Sequence, residues 1–388
     1  MISTVSALLA VSSVLSAVSA HADHAPENWR RDNTVARAAL ETRCGLQLTA
    51  RRNKRAAQAL RSVKRKRGLH GNHRMTPRQT SSNDSTCLIT PEVTQGPYHI
   101  LGEIVRQNIT ENQLGIPLEV SIDFVDISTC EPVQVWVDAW HANATGFYGG
   151  YIAETGSTLS AGGGGGGGGA PGNSSLSMSM PMSMSSFGSS MASSASTAAA
   201  SATYGATSGA DSTSNSMLDT AVDDNSTFLR GVFQSDTDGH LTMYSIVPGW
   251  YSGRAQHFHI KAYPQGYIAS NGTFVANSTA VHTGQFFFDN ETLTAVAATV
   301  PYANNSISWA DRVTNEDDMW YPYQAALGYN ADLDITWVGS DISDGLLGSI
   351  TVGLNMSYES AELSTQYADF DVSSYAAASM LPSASLSA

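Results

Sequence analysis

Residues 117–127 read PLEVSIDFVDI, with Leu118, Val120, Ile122 and Phe124 at every second position and Glu119, Ser121 and Asp123 between them. Successive side chains of a strand point to opposite faces, so this period of two predicts a β-strand with one apolar face. VQVWVDAWHA (133–142) repeats the pattern after the polar turn Ser128-Thr129-Cys130-Glu131-Pro132. Residues 228–262 and VHTGQFFF (281–288) have the same texture. Runs of this kind, separated by turn signals, predict an all-β fold, a β-sandwich, over residues 86–365.

Charge divides the 388-residue chain more sharply than its net −14 suggests. Residues 1–80 hold fifteen Lys and Arg against four Asp and Glu, a balance of +11; residues 81–388 hold five against thirty, or −25. An acidic body of this kind is not built to bind nucleic acid or anionic lipid, which need clustered cations. Residues 1–20 contain a short apolar run ending Val18-Ser19-Ala20, the pattern of a secretory signal peptide, although its n-region lacks Lys and Arg. A buried helix or a membrane anchor is the competing reading, but the run is Ser-rich and short for a span. Residues 21–85 form a basic leader whose Arg- and Ala-rich part (28–67) predicts helix. Lys64-Arg65-Lys66-Arg67 makes it either a cleavable propeptide or an attached helical extension.

Residues 157–220, with eight consecutive glycines at Gly162–Gly169 and then Ser/Met/Ala repeats, have no apolar period and predict a disordered insertion between strands. Residues 366–388 are a similar Ser/Ala-rich tail. Ten Asn-x-Ser/Thr sequons, from Asn83 to Asn355, fit an extracellular glycoprotein. Of three cysteines, Cys87 and Cys130 lie in the body and are the preferred disulfide pair; Cys44 lies in the leader.

The densest chemistry is Pro248-Gly249-Trp250-Tyr251-Ser252-Gly253-Arg254-Ala255-Gln256-His257-Phe258-His259-Ile260. Two histidines two apart on a strand share a face, so both imidazoles can reach one metal ion. Arg254 adds a permanent cation, and Tyr251 a phenol that a trivalent ion can convert to a hard anionic ligand. Tyr148, at the end of Trp140–Tyr148, offers a second phenol. Two phenolates and two imidazoles suit ferric iron better than zinc or ferrous iron.

CLITPEVTQGPY (87–98), VDAWHANATGFYGGY (137–151), FLRGVFQSDTDGHLTMYSIVPGWYSGRAQHFHIKAY (228–263) and HTGQFFFD (282–289) resemble the intradiol ring-cleavage dioxygenases, in particular a secreted fungal branch related to catechol and protocatechuate dioxygenases. The resemblance implies a β-sandwich holding non-haem Fe(III) through Tyr148, Tyr251, His257 and His259, with Tyr251 the ligand that a catechol displaces. It further implies a site arginine at Arg254, a glutamine near the iron at Gln285, and Tyr98 lining the substrate pocket. The implied reaction cleaves an aromatic diol with O₂ to a muconic acid-type product. Oligomeric state does not carry over, because the leader does not match the helical dimerisation module of the bacterial enzymes.

The rival reading is a catalytically inactive secreted β-sandwich that binds a partner or the cell wall. A cupin-type dioxygenase would add a Glu shortly after its His-x-His, and Lys261-Ala262-Tyr263-Pro264 has none. Gly249–Gly253 has the wrong register for a serine-hydrolase elbow, and there is no phosphate-binding Gly-Lys-Ser/Thr loop.

Overall fold

The computed structural model describes residues 92–153, 155, 220–325 and 331–368, together with scattered positions between 45 and 65. The predicted signal peptide, all of the 157–220 insertion except Thr220, and the tail beyond Ala368 lie outside the described residues.

Among the described residues, ten strands build two four-stranded sheets and one hairpin: β1 (Pro117–Asp126), β2 (Trp136–Trp140), β3 (Arg230–Gln234), β4 (His240–Ile246), β5 (Phe258–Tyr263), β6 (Gly266–Ile268), β7 (Phe274–Ala276), β8 (His282–Phe286), β9 (Asp334–Trp337) and β10 (Leu346–Leu354). One sheet has the order β4-β1-β10-β9 and the other β3-β2-β5-β8, with β6-β7 apart. All pairs are antiparallel except β1 with β10, which run parallel with Ile122 opposite Ile350. The alternation in 117–127 therefore yields the predicted strand and its inner face. Leu118, Val120, Ile122 and Phe124 pack with Leu241, Met243, Ile350 and Val352 against Val137, Ala139, Phe258, Ile260 and Phe286 of the opposite sheet.

β1 and β2, neighbours in sequence, belong to different sheets. The turn between them crosses the sandwich, with Cys130 at φ 65° and its N–H donating to Asp126 O (2.8 Å). Cys130 is disulfide-bonded, and its partner lies outside the described residues, as do both Cys44 and Cys87.

The outer face of the β3-β2-β5-β8 sheet is also buried. Trp136, Asp138 and Trp140 on β2 pair in register with Tyr263, Lys261 and His259 on β5. Chain on both sides of the strands in sequence covers this face. Val93 N donates to Thr283 O, Arg106 N to Val232 O, and Ser360 N to Ala280 O. Leu101 exchanges backbone hydrogen bonds with Gln366 and Ala368, so pairing continues to Ala368, three residues past the predicted edge of the domain. This second layer lets polar side chains on a buried strand face converge away from water.

Every described position between 45 and 65 is helical, as the leader's composition predicts. Arg55 reaches the body. It pairs with Asp123 on the outer face of β1, and its Nη2 donates to Asp238 O (3.1 Å). The leader thus packs on the sheet opposite the one described next. Among the described residues no helix is long and apolar enough to cross a membrane.

Candidate active site

On β5 the period of two turns Phe258 and Ile260 into the sandwich and His259 to the outer face, where it meets His257, the residue just before the strand, their Nε2 atoms 2.9 Å apart. His257 Nδ1 lies 2.6 Å from Ala255 O, a carbonyl that can only accept. Nδ1 therefore carries the proton and Nε2 presents a lone pair. His259 stacks on Trp140, its register neighbour, at 4.8 Å and 6°. Gly96 (φ +75°) closes over its edge: a Cβ there would sit 3.4 Å from His259 Cε1. Burial, reinforced by Arg254, pushes His257 down to about 3. Burial and then His257 hold His259 well below its ordinary value. Both rings are neutral at physiological pH, the form that ligates metals.

The two phenols arrive on loops that touch. Asn143 Oδ1 accepts hydrogen bonds from Thr145 N, Thr145 Oγ1 and Phe147 N, building the turn before Tyr148. Gly146 (φ +90°) lies so close to the Tyr251 loop that a Cβ would be 2.4 Å from Trp250 O; a Cβ on Gly249 would be 2.3 Å from Ala144 O. The close approach brings Tyr148 Oη and Tyr251 Oη each to 3.4 Å from His257 Nε2. Burial raises both phenols above their ordinary value, Tyr148 well above it. Tyr148 is fully buried and Tyr251 only partly.

Beside them stands Arg254. Its Nε and Nη2 donate to Asp318 Oδ2 (2.8 Å) and Oδ1 (3.2 Å), and Nη2 also donates to Gln285 Oε1 (2.5 Å). Gln285, opposite His259 in the β5–β8 register, donates through Nε2 to Thr94 O (3.1 Å). Tyr98 packs its ring 4.9 Å from that of Tyr148. All seven residues singled out in the sequence around this chemistry, Tyr98, Tyr148, Tyr251, Arg254, His257, His259 and Gln285, thus meet in one place.

Asp318 escaped sequence reasoning. It lies in the acidic run Glu316-Asp317-Asp318, where nothing marks it out, yet it is 2% exposed. Besides Arg254, it accepts from Ala255 N (2.8 Å), Trp320 N (2.8 Å) and Tyr321 N (3.0 Å). Arg230 was also missed. Its guanidinium lies within 6 Å of the ring centres of Tyr148 and Tyr151, and its Nε donates to Gly149 O (2.6 Å). His141 points the other way, into the sandwich, with Nε2 2.6 Å from Ser245 Oγ.

Among the described residues no three or more His, Cys, Asp or Glu gather as a metal site. The convergence here is of two imidazoles with two phenols. Its donors suit a trivalent cation: two neutral imidazoles, two phenols that burial keeps protonated until a strong positive charge acidifies them, and a neighbouring carboxylate, Asp318, already paired with Arg254.

The chain is similar to solved intradiol ring-cleavage dioxygenases. One such enzyme, from Tetranychus urticae, shares 24% identity over 72% of this chain and 99% of its own, with a TM-score of 0.47. The dioxygenase domain of a dioxygenase–carbohydrate-binding fusion from Streptomyces sp. SirexAA-E shares 17% over 69% and 98%, at 0.35. Catechol 1,2-dioxygenase from Pseudomonas arvilla C-1 shares 15% over 87% and 80%, at 0.35. No protein-family model and no curated protein matches the chain.

Proposed function

We propose that this protein is a secreted non-haem Fe(III) intradiol dioxygenase that converts catechol-type diols and O₂ to muconic acid-type products. The observation that carries the reading is the meeting of Tyr148 Oη, Tyr251 Oη, His257 Nε2 and His259 Nε2 beside Arg254. These four atoms would hold the iron. Secretion is supported by the apolar segment before Ala20, by the sequons and by a disulfide at Cys130.

Ferric iron held at this site would supply Lewis acidity toward the diol hydroxyls and the ring. The residues divide the remaining work. His257 and His259, neutral and locked by Ala255 O and by Trp140, are fixed donors. Tyr148, fully buried, would remain a ligand throughout as a phenolate. Tyr251, the partly exposed one, can swing aside and take up a diol proton at Oη, a general-base role. Arg254, held by Asp318 and Gln285, presents positive charge where the ring gains electron density. Both oxygen atoms of O₂ enter the product, in which two carboxyl groups replace the diol carbons and the C–C bond between them.

The pure iron-loaded protein is expected to be reddish, from phenolate-to-Fe(III) charge transfer. It should change spectrum on anaerobic addition of catechol and consume one O₂ per diol when air is admitted. A folded protein that binds iron but leaves a broad panel of diols untouched would sink the catalytic reading and favour a binding protein.

Gly146→Ala tests the contact between the two tyrosine loops. The new Cβ must push the loops apart at a backbone oxygen, so metal affinity is expected to fall by about 10–100-fold, the usual effect of losing support behind a ligand. Competition with a ferric chelator measures this. Unchanged affinity would show that the loops are positioned by something else.

A further inference from the structure

Resting on the dioxygenase reading, we infer that the site accepts uncharged diols and rejects diols bearing a carboxylate, and that Asp318 sets this preference by neutralising Arg254. A substrate carboxylate entering a buried site needs a cation or several donors to replace its water. Residues 81–388 contain only Arg106, Arg230, Arg254, Lys261 and Arg312, and each is already engaged.

Arg106 pairs with Glu111, and its Nε donates to Arg230 O (2.9 Å). Arg230 is completely buried and packed against Tyr148 and Tyr151, with Glu103 at 3.5 Å as its counter-charge and Nε donating to Gly149 O (2.6 Å), although its two Nη atoms make no hydrogen bond among the described residues. Lys261, also fully buried, donates to Gln95 Oε1 (2.7 Å), Ala361 O (2.9 Å) and Glu362 Oε2 (2.8 Å). Arg312 lies over Trp309 and donates to Trp309 O (2.9 Å) and Asn290 Oδ1 (2.6 Å). Among the described residues Arg254 is the cation beside Tyr251 and Gln285, while Arg230 lies behind the ring of Tyr148. Arg254 Nε and Nη2 are occupied by the Asp318 carboxylate, in the geometry an anionic substrate would itself require, and Nη2 also by Gln285.

Histidines do not fill the gap. His99, His240 and His282 face Asp138, Asp123 and Glu92 respectively, and His141 faces Ser245. In the leader, Arg55 serves the opposite sheet. The −25 body adds a field that repels anions before they arrive. The arginine–aspartate pair still leaves a polarised donor edge, enough to respond to charge developing in a neutral ring.

The test compares catechol, 3,4-dihydroxybenzoate and its methyl ester at pH 7.5. The acid and ester are nearly the same shape and differ in charge, while catechol reports on the site itself. Dissociation constants are taken anaerobically by calorimetry on the iron-loaded wild-type protein and Asp318→Asn, with O₂ uptake as a second readout. The ester is expected to bind and turn over. The acid should bind at least about tenfold more weakly than the ester, and Asp318→Asn should reduce that ratio roughly tenfold by freeing Arg254, each tenfold being about 1.4 kcal/mol. A purely structural defect in the variant would weaken both ligands together and leave their ratio unmoved. Equal binding of acid and ester by the wild type overturns the inference. So does rejection of both while catechol binds, since that is exclusion by size. Failure of catechol itself to bind or react would instead strike the dioxygenase reading, and the inference falls with it. If Asp318→Asn does not fold, the wild-type acid-to-ester comparison alone decides.

Discussion

His257→Ala is expected to yield a folded protein that retains almost no iron, with diol oxidation reduced by more than about 100-fold, beyond the loss typical of a residue that merely supports a ligand. His257 Nε2 is the hub of the cluster, within 3.4 Å of both phenol oxygens and 2.9 Å from His259 Nε2. The hydrogen bond from Nδ1 to Ala255 O fixes the ring and its tautomer. The fold should survive, because the sandwich core is built by the inward set Phe258, Ile260 and Ala262, while His257 lies on the outer face. Metal analysis, the visible spectrum and circular dichroism together check the prediction. Full iron occupancy in the variant would mean that this cluster is not the metal site.

Arg254→Met should do the largest damage to stability. Removing one partner of a buried ion pair costs about 3–5 kcal/mol, since the other charge remains buried without compensation. Asp318 would keep its three backbone N–H donors from Ala255, Trp320 and Tyr321 but lose its counter-charge. In the wild-type protein burial works to raise the Asp318 carboxyl, and Arg254 outweighs it, so the group titrates below its ordinary value. A depressed carboxyl contributes stability that is present above the unfolded-state pKa and is lost as pH falls through the folded one. In the variant the charge that outweighed burial is gone and the backbone N–H donors are left to oppose it, so the carboxyl rises from its wild-type position. The deficit is then greatest at neutral pH and shrinks on acidification, as Asp318 takes up a proton. Urea denaturation at pH 7 and pH 5 should show this, and adding Asp318→Asn to Arg254→Met should restore most of the stability without restoring turnover. A deficit equal at both pH values would assign the loss to packing rather than charge.

Much of the site was legible because its residues sit at short, chemically telling intervals. His257 and His259 share a face by elementary geometry, and Gly249 and Gly253 announce the turns that carry Tyr251. Tyr148 stands one loop beyond a strand whose alternation is unmistakable. Asp318 could not be found this way. Its neighbours Glu316 and Asp317 have the same chemistry, and only the fold chooses which carboxylate turns inward to meet Arg254. Nor does local pattern explain how Trp136, Asp138 and Trp140, mixed in polarity, all become buried. That needs the 92–108 and 358–368 segments to close over them.

The chain's local chemistry was sufficient for the sandwich: period-two strands with one apolar face can bury that face only against another sheet. It was sufficient also to bring His257, His259, Tyr148 and Tyr251 forward as candidate donors, because imidazole and phenol are recognisable from residue type and spacing alone. Folding in three dimensions assigned strands to sheets, placing adjacent β1 and β2 in different layers and joining β1 to distant β10. It also paired Arg254 with Asp318. The physical reason is the same in both cases. The period of side chains says which face of a strand is apolar, but backbone hydrogen bonds and buried ion pairs are satisfied by whichever partner the closed chain delivers, and that choice leaves no local trace.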